Sequence, residues 1–149
     1  MVIGTISDYS GGGDDTYRKV ARQALQVAER VIFVGPQAGH VSKLRKGDLA
    51  DRLLEFATSY QAAAFLAEAP IAGKLILIKA SGRDHLERIM LAQHGEVMCW
   101  KERCGKAYAC PDCKSYRQSC PPPFGLAETA FGALPRARVE MASMGAGKL

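Results

Sequence analysis

Lys74-Leu75-Ile76-Leu77-Ile78-Lys79-Ala80-Ser81-Gly82-Arg83-Asp84-His85-Leu86-Glu87-Arg88-Ile89-Met90 is the stretch from which the rest of the chain can be read. Leu75 to Ile78 form a short apolar run, partly β-branched, between Gly73 and the Ser81-Gly82 break. Such a run reads as a strand buried on both faces at the centre of a sheet. A helix should follow, because Leu86, Ile89, Met90 and Gln93 fall at i, i+3, i+4 and i+7. Asp84 and Glu87 stand in its first turns, where carboxylates suit the positive helix end. Between strand and helix lies the polar loop Lys79 to Arg83, at the carboxyl end of the strand, which is where open α/β sheets bind ligands.

Further units of the same kind precede this one. Met1-Val2-Ile3-Gly4 reads as the end of a strand with almost no lead-in, as expected either of a domain cut from a longer chain or of a start codon placed inside one. The polar loop Thr5 to Asp15 follows, with Gly11-Gly12-Gly13 for a turn and Asp14 or Asp15 as helix cap. The next helix carries one apolar stripe, Tyr17, Val20, Ala21, Ala24, Leu25 and Ala28, opposite Arg18, Lys19, Arg22 and Glu29. Val31-Ile32-Phe33-Val34 is a buried strand closed by Gly35-Pro36, Ala38 to Leu44 a short helix, and Leu53 to Phe56 a third strand. Thr58 or Ser59 then caps a helix with Ala62, Phe65 and Leu66 on its buried face, ended by Pro70. Glu96 to Trp100 reads as a last strand. Strands separated by helices imply parallel βαβ units with right-handed crossovers, hence an α/β, Rossmann-like three-layer domain with a mostly parallel sheet.

The chain's 149 residues, 48% hydrophobic and 23% charged, suit one domain with a sizeable core and an appendage. Its apolar runs are too short to span a membrane, and its start lacks a signal-peptide pattern, so a cytoplasmic protein is expected. The net charge of +5 is concentrated: residues 1–100 carry 12 basic and 11 acidic side chains, whereas residues 101–120 carry 5 and 2. Nucleic acid is one reading of that excess, with Trp100, Tyr108 and Tyr116 beside Lys101, Arg103 and Lys106. Basic residues flanking an anionic metal-thiolate cluster are the preferred explanation, and packing around a zinc knuckle accounts for the aromatic residues as well.

That cluster is the strongest chemical signal in the residues themselves. Cys99, Cys104, Cys110 and Cys113 are spaced x4, x5 and x2, and Cys120 follows after x6 as an alternative to Cys99. Four thiolates close a tetrahedral zinc shell, and Cys110-Pro111-Asp112-Cys113 has the form of a zinc knuckle. A structural zinc ion is therefore expected, with an iron-sulfur cluster or free thiols as the alternatives. His40, His85 and His94 are isolated in the sequence and read as surface or helix residues, His94 being an outside candidate for the metal. The chain thus divides into an α/β domain over residues 1–98, a cysteine-rich segment over 99–120, and a Pro, Gly and Ala-rich tail over 121–149 that is expected to be poorly ordered.

Val2-Ile3-Gly4 with its loop, Tyr17 and Ala21, Val31 to Pro36, Glu55-Phe56-Ala57 before Ser59, and Leu77-Ile78-Lys79-Ala80-Ser81 before Leu86-Glu87 occur in an order that resembles the C-terminal domain of the Mur ligase family. These are ATP-dependent amide ligases of peptidoglycan assembly, and the likeness, over residues 1–98, is to the branch that joins D-alanyl-D-alanine to the UDP-muramoyl tripeptide. The resemblance implies a domain that closes over a central ATP-binding domain and helps position the incoming amino acid. Carried over by position, Lys79, Ser81 and Arg83 match a loop near the phosphates and substrate, and Asp8 lies in the loop that matches the family's Gly-Asp-Met segment. Thr5 stands where the family has Asp, Ala80 replaces a Gly, and Gly82 separates Ser81 from Arg83. Read without the family, Lys79 is a strand-end lysine, Ser81 a helix cap and Asp8 a turn residue.

The family's P-loop has no match in this sequence: in Gly145-Ala146-Gly147-Lys148-Leu149 the earlier glycine falls at Ala142, and Leu149 replaces Ser or Thr. ATP and Mg2+ would then bind only with a partner that bears the P-loop. The competing expectation is a non-catalytic, zinc-containing Rossmann-like module that binds protein or nucleic acid.

Overall fold

The computed structural model describes residues 1–7, 9, 12–68, 73–102, 104–107 and 109–113. Four strands form one sheet in the order β3-β2-β1-β4: β1 is Val2–Ile3, β2 Val31–Val34, β3 Leu53–Phe56 and β4 Ile78–Lys79. Every pairing is parallel, with Val2 opposite both Ile32 and Ile78, and Val31 opposite Leu53. The intervening helices are α1 (Gly13–Val27), α2 (Ser59–Glu68) and α3 (Glu87–His94), with 3-10 helices at Ala38–Leu44, Gly47–Leu49 and Cys110–Asp112. This is the α/β architecture expected of strands that alternate with helices.

Strand periodicity sorts the core into two apolar clusters on opposite faces of the sheet. Ile3, Val31 and Phe33 pack with Tyr17, Ala21 and Ala24 of α1 and with Ala38 and Val41. Val2, Ile32 and Val34 pack with Ala62, Ala63 and Leu66 of α2, Leu86 and Ile89 beside and on α3, and Trp100. The α1 stripe read from the sequence is the buried one, with Val20, Leu25 and Ala28 at its margin. Its N-cap, however, is Gly12, with no side-chain cap, and Asp14 and Asp15 lie inside the first turn. The α2 start is a reciprocal capping box: Gln61 N–H donates to Thr58 Oγ1 at 3.2 Å, and Thr58 N–H donates to Gln61 Oε1 at 3.2 Å. Gly35 turns the chain after β2 at φ 117°, in the region that favours glycine.

The deciding stretch departs from its reading in one respect. β4 is an edge strand with a ladder over Ile78–Lys79, not a central strand buried on both faces. Ile76 and Ile78 pack toward α3, while Leu75 and Leu77 are 96% and 54% exposed. The run is apolar throughout, but only one of its faces meets a layer of helices. On α3, Leu86 and Ile89 are buried as expected, whereas Met90 is half exposed and Arg88 takes the inner position at 1% exposure. Residues 96–100 make a single bridge at Cys99 in place of a last strand. The Cys99 and Lys101 carbonyls there accept hydrogen bonds from Arg88. No helix among the described residues is long and apolar enough to cross a membrane.

Candidate functional site

At the carboxyl edge of the sheet, β2 and β3 lie on one side of β1 and β4 on the other, so the strand order reverses between β1 and β4. Ligands of open parallel sheets sit outside such a reversal. The two loops that leave it are bound to each other. Thr5 N–H donates to Asp84 Oδ2 at 2.9 Å, the Thr5 hydroxyl donates to Oδ1 at 3.0 Å, and Ser81 N–H donates to Oδ2 at 3.2 Å. Gly4 makes the approach possible, because a Cβ there would meet Asp84 Oδ2 at 2.7 Å and the Ala80 Cβ at 2.8 Å. Ser81 Oγ accepts the Arg83 N–H at 3.2 Å, a turn that shapes the loop. Lys79 and Arg83 are exposed, and among the described residues neither has a carboxylate partner. Lys79 ends β4, and Ser81 and Arg83 lie on the turn that follows it; Asp8 lies outside the described residues.

Beside these loops, Tyr17 is buried with its hydroxyl in use: it accepts the Ile6 N–H at 3.0 Å and donates to Gln37 Oε1 at 2.9 Å. Burial raises its pKa above the usual tyrosine value, against the pull of the Ile6 N–H and with smaller contributions from Tyr9 and Asp84. His40 pairs with Asp14 at the start of α1.

The second constellation lies where the cysteine-rich segment packs on the start of α3. His85 precedes the helix in the left-handed region, φ 50°, and is 2% exposed. Its Nε2 donates to the Lys106 carbonyl at 3.0 Å, and its Nδ1 lies 3.0 Å from Glu87 Oε1 and 3.6 Å from Cys110 Sγ. Glu87 Oε1 also accepts the Cys110 N–H at 3.0 Å. Burial acts to raise the Glu87 pKa, but the hydrogen bonds from His85 and from the Cys110 backbone hold it below the ordinary value. Arg88 Nε donates to Cys110 Sγ at 3.2 Å, and its Nη1 donates to the carbonyls of Cys99 and Lys101 at 3.3 and 3.0 Å.

His85, Glu87 and Cys110 are the three described residues whose ligand atoms gather within 4.8 Å, and they can hold a metal ion. Of the four cysteines read as one shell, Cys110 alone is in this group. Cys99 is buried, Cys104 and Cys113 are partly exposed, and the Lys106 ammonium donates to Cys113 Sγ at 3.3 Å. Cys120 lies outside the described residues, as do Arg103, Tyr108, Tyr116 and the tail. Trp100 is buried edge-on against Tyr60, ring centroids 5.1 Å apart, so it presents no face for a base to stack on.

A lone histidine hid this site from sequence reasoning. A usable signal exists: in the helical register His85, Arg88, Ile89 and Ala92 fall at i, i+3, i+4 and i+7, so the face that buries Ile89 also carries an imidazole and a guanidinium. Cysteine nucleophile chemistry does not suit the arrangement. Without an ion, burial pushes the Cys110 thiol up to about 11, the Arg88 hydrogen bond opposing it, and a protonated buried thiol is inert. Comparison with known protein families, curated proteins and solved structures finds no match for this chain.

Proposed function

We propose that this chain is the C-terminal, substrate-positioning domain of a Mur-ligase-like ATP-dependent amide ligase, inactive until a P-loop-bearing domain or subunit completes the site. The observation that carries the reading is the loop pair at the strand-order reversal, where the Thr5–Asp84 clamp lies beside two exposed cations, Lys79 and Arg83. Amide ligases of this class form an acyl phosphate from a carboxylate and ATP, and an amine then displaces the phosphate. Lys79 and Arg83 suit the anionic oxygens of such a reaction, and the hydrogen bonds to Asp84 tie the turn beside them to the loop after β1. Both Asp84 oxygens are taken by N–H and O–H donors, so this loop offers no free carboxylate to Mg2+; ATP and Mg2+ belong to the partner.

The test is reconstitution. The chain is added to a Mur-type ligase core whose own C-terminal domain has been deleted, with UDP-muramoyl tripeptide, D-alanyl-D-alanine, ATP and magnesium. ADP formation is expected to rise about tenfold or more over the core alone. A rate equal to that of the core alone overturns the reading.

We propose in addition that the ion of the cysteine-rich segment is a structural Zn2+. Its support is the chemistry of the donors: a thiol, an imidazole and a carboxylate together suit zinc better than magnesium or calcium, and their burial suits structure more than turnover. Metal content after purification in reductant tests it, with less than about half an equivalent of zinc per chain counting against it.

A further inference from the structure

We infer that the zinc shell is mixed, built from His85 Nδ1, the Glu87 carboxylate and Cys110 Sγ, so that the ion joins the cysteine-rich segment to the first turn of α3. The inference rests on the zinc reading above and replaces the four-thiolate shell expected from the cysteine spacing.

Three observations carry it. The first is the proton inventory of His85. A carbonyl only accepts, so Nε2 must hold the proton it gives to Lys106, and in the neutral ring Nδ1 is a bare lone pair. Nδ1 faces a Glu87 carboxylate oxygen at 3.0 Å and the Cys110 sulfur at 3.6 Å; without an ion a proton links these atoms, and a zinc ion would take that proton's place among three converging ligand atoms. An imidazole whose other nitrogen is fixed by a backbone carbonyl is also the usual form of a histidine ligand.

The second is the spacing. Zinc bonds of about 2.1 Å to nitrogen and oxygen and about 2.3 Å to sulfur place tetrahedral N and S ligands about 3.6 Å apart and N and O ligands about 3.4 Å apart. The 3.6 Å between Nδ1 and Sγ matches, and the 3.0 Å between Nδ1 and Oε1 needs an opening of about 0.4 Å.

The third is the surroundings of the sulfur. Arg88 is 1% exposed and always charged, and among the described residues no carboxylate lies within ion-pair distance of it. Its Nε–H points at Cys110 Sγ instead. A thiolate ligand supplies the negative charge that this guanidinium lacks, and N–H donors to sulfur are the usual support for such ligands.

X-ray absorption of the zinc-loaded, unmutated chain reads the shell directly. One or two sulfurs with nitrogen and oxygen completing the shell are expected. Three or four sulfurs overturn the mixed shell while leaving structural zinc in place; an absence of bound zinc removes both. Affinity by chelator competition gives a second arm. His85→Asn, which suits the left-handed backbone, and Glu87→Gln should each weaken zinc binding by about tenfold or more. Cys104→Ser should change it by less than about threefold. The reverse pattern rejects the inference.

Discussion

The Arg88 guanidinium and the Cys110 sulfur, 22 positions apart in the chain, meet at 3.2 Å with both residues buried. The same side chain holds the Cys99 and Lys101 carbonyls. One residue of α3 thereby ties the start of the cysteine-rich segment to Cys110. Arg88→Met keeps the volume and removes every donor, leaving two carbonyls and the sulfur without their charged partner. A loss of about 3 kcal/mol in urea unfolding is expected. Arg88→Lys should recover less than half of it, since a single ammonium cannot span the three acceptors.

The clamp between the two carboxyl-edge loops gives a coupled pair. Gly4→Ala places a methyl against Asp84 Oδ2 and Ala80, and should cost about 2 kcal/mol by overpacking. Asp84→Ala removes the acceptor of three hydrogen bonds and should cost about 2–3 kcal/mol. Because the first substitution clashes with the group that the second deletes, the double variant should fall short of the sum by about 1 kcal/mol in equilibrium unfolding.

Tyr17 titrates with a sign that can be worked out. Its pKa is raised in the folded chain by burial, so the folded state favours the neutral phenol. The stability this contributes is complete below the unfolded value of about 10 and is lost as pH rises through the higher folded value. Unfolding free energy should therefore fall more steeply between about pH 9.5 and 11 in the parent than in Tyr17→Phe. At neutral pH the Phe variant should be less stable by about 1–2 kcal/mol, because the Ile6 N–H and Gln37 lose their partner.

Lys79 and Arg83 should behave in the opposite way. Both are exposed and unpaired with any described carboxylate, so alanine at either position should change stability by no more than about 0.5 kcal/mol. In the reconstituted ligase the same substitutions should lower ADP formation by about tenfold or more. Unaltered turnover in both would separate this loop from the reaction.

Where one local pattern decides burial, the sequence was legible. Val31–Val34 and Leu53–Phe56 form strands with the bounds read from their β-branched and apolar runs, and the α1 stripe from Tyr17 to Ala28 is the buried one. The reading failed where burial depends on a layer that the local residues do not encode. Leu75 to Ile78 look like a central strand, yet among the described residues the sheet ends there and none covers Leu75 and Leu77. Glu96 to Trp100 alternate as a strand does, yet they make a single bridge, at Cys99, whose carbonyl also accepts a hydrogen bond from Arg88. The turn between β4 and α3 was legible because a strand end followed by a helix start is a local event. The His85, Glu87 and Cys110 group was missed because packing brings Cys110 to residues 23 and 25 positions earlier in the chain.

The placement of β1 also governs when the sheet can close. Val2–Ile3 pairs with β2 on one side and β4 on the other, so the middle of the sheet is the earliest strand in the chain and its second neighbour the latest. During synthesis β1 can pair with β2 once Val34 has emerged, but the other edge of β1 stays open until Lys79 has emerged. Contacts of such sequence separation are slow to form, and an open strand edge is a template for pairing with other chains. The interval between the two pairings is therefore the period of greatest aggregation hazard in the life of this protein, and a chaperone that shields a short apolar edge would act then.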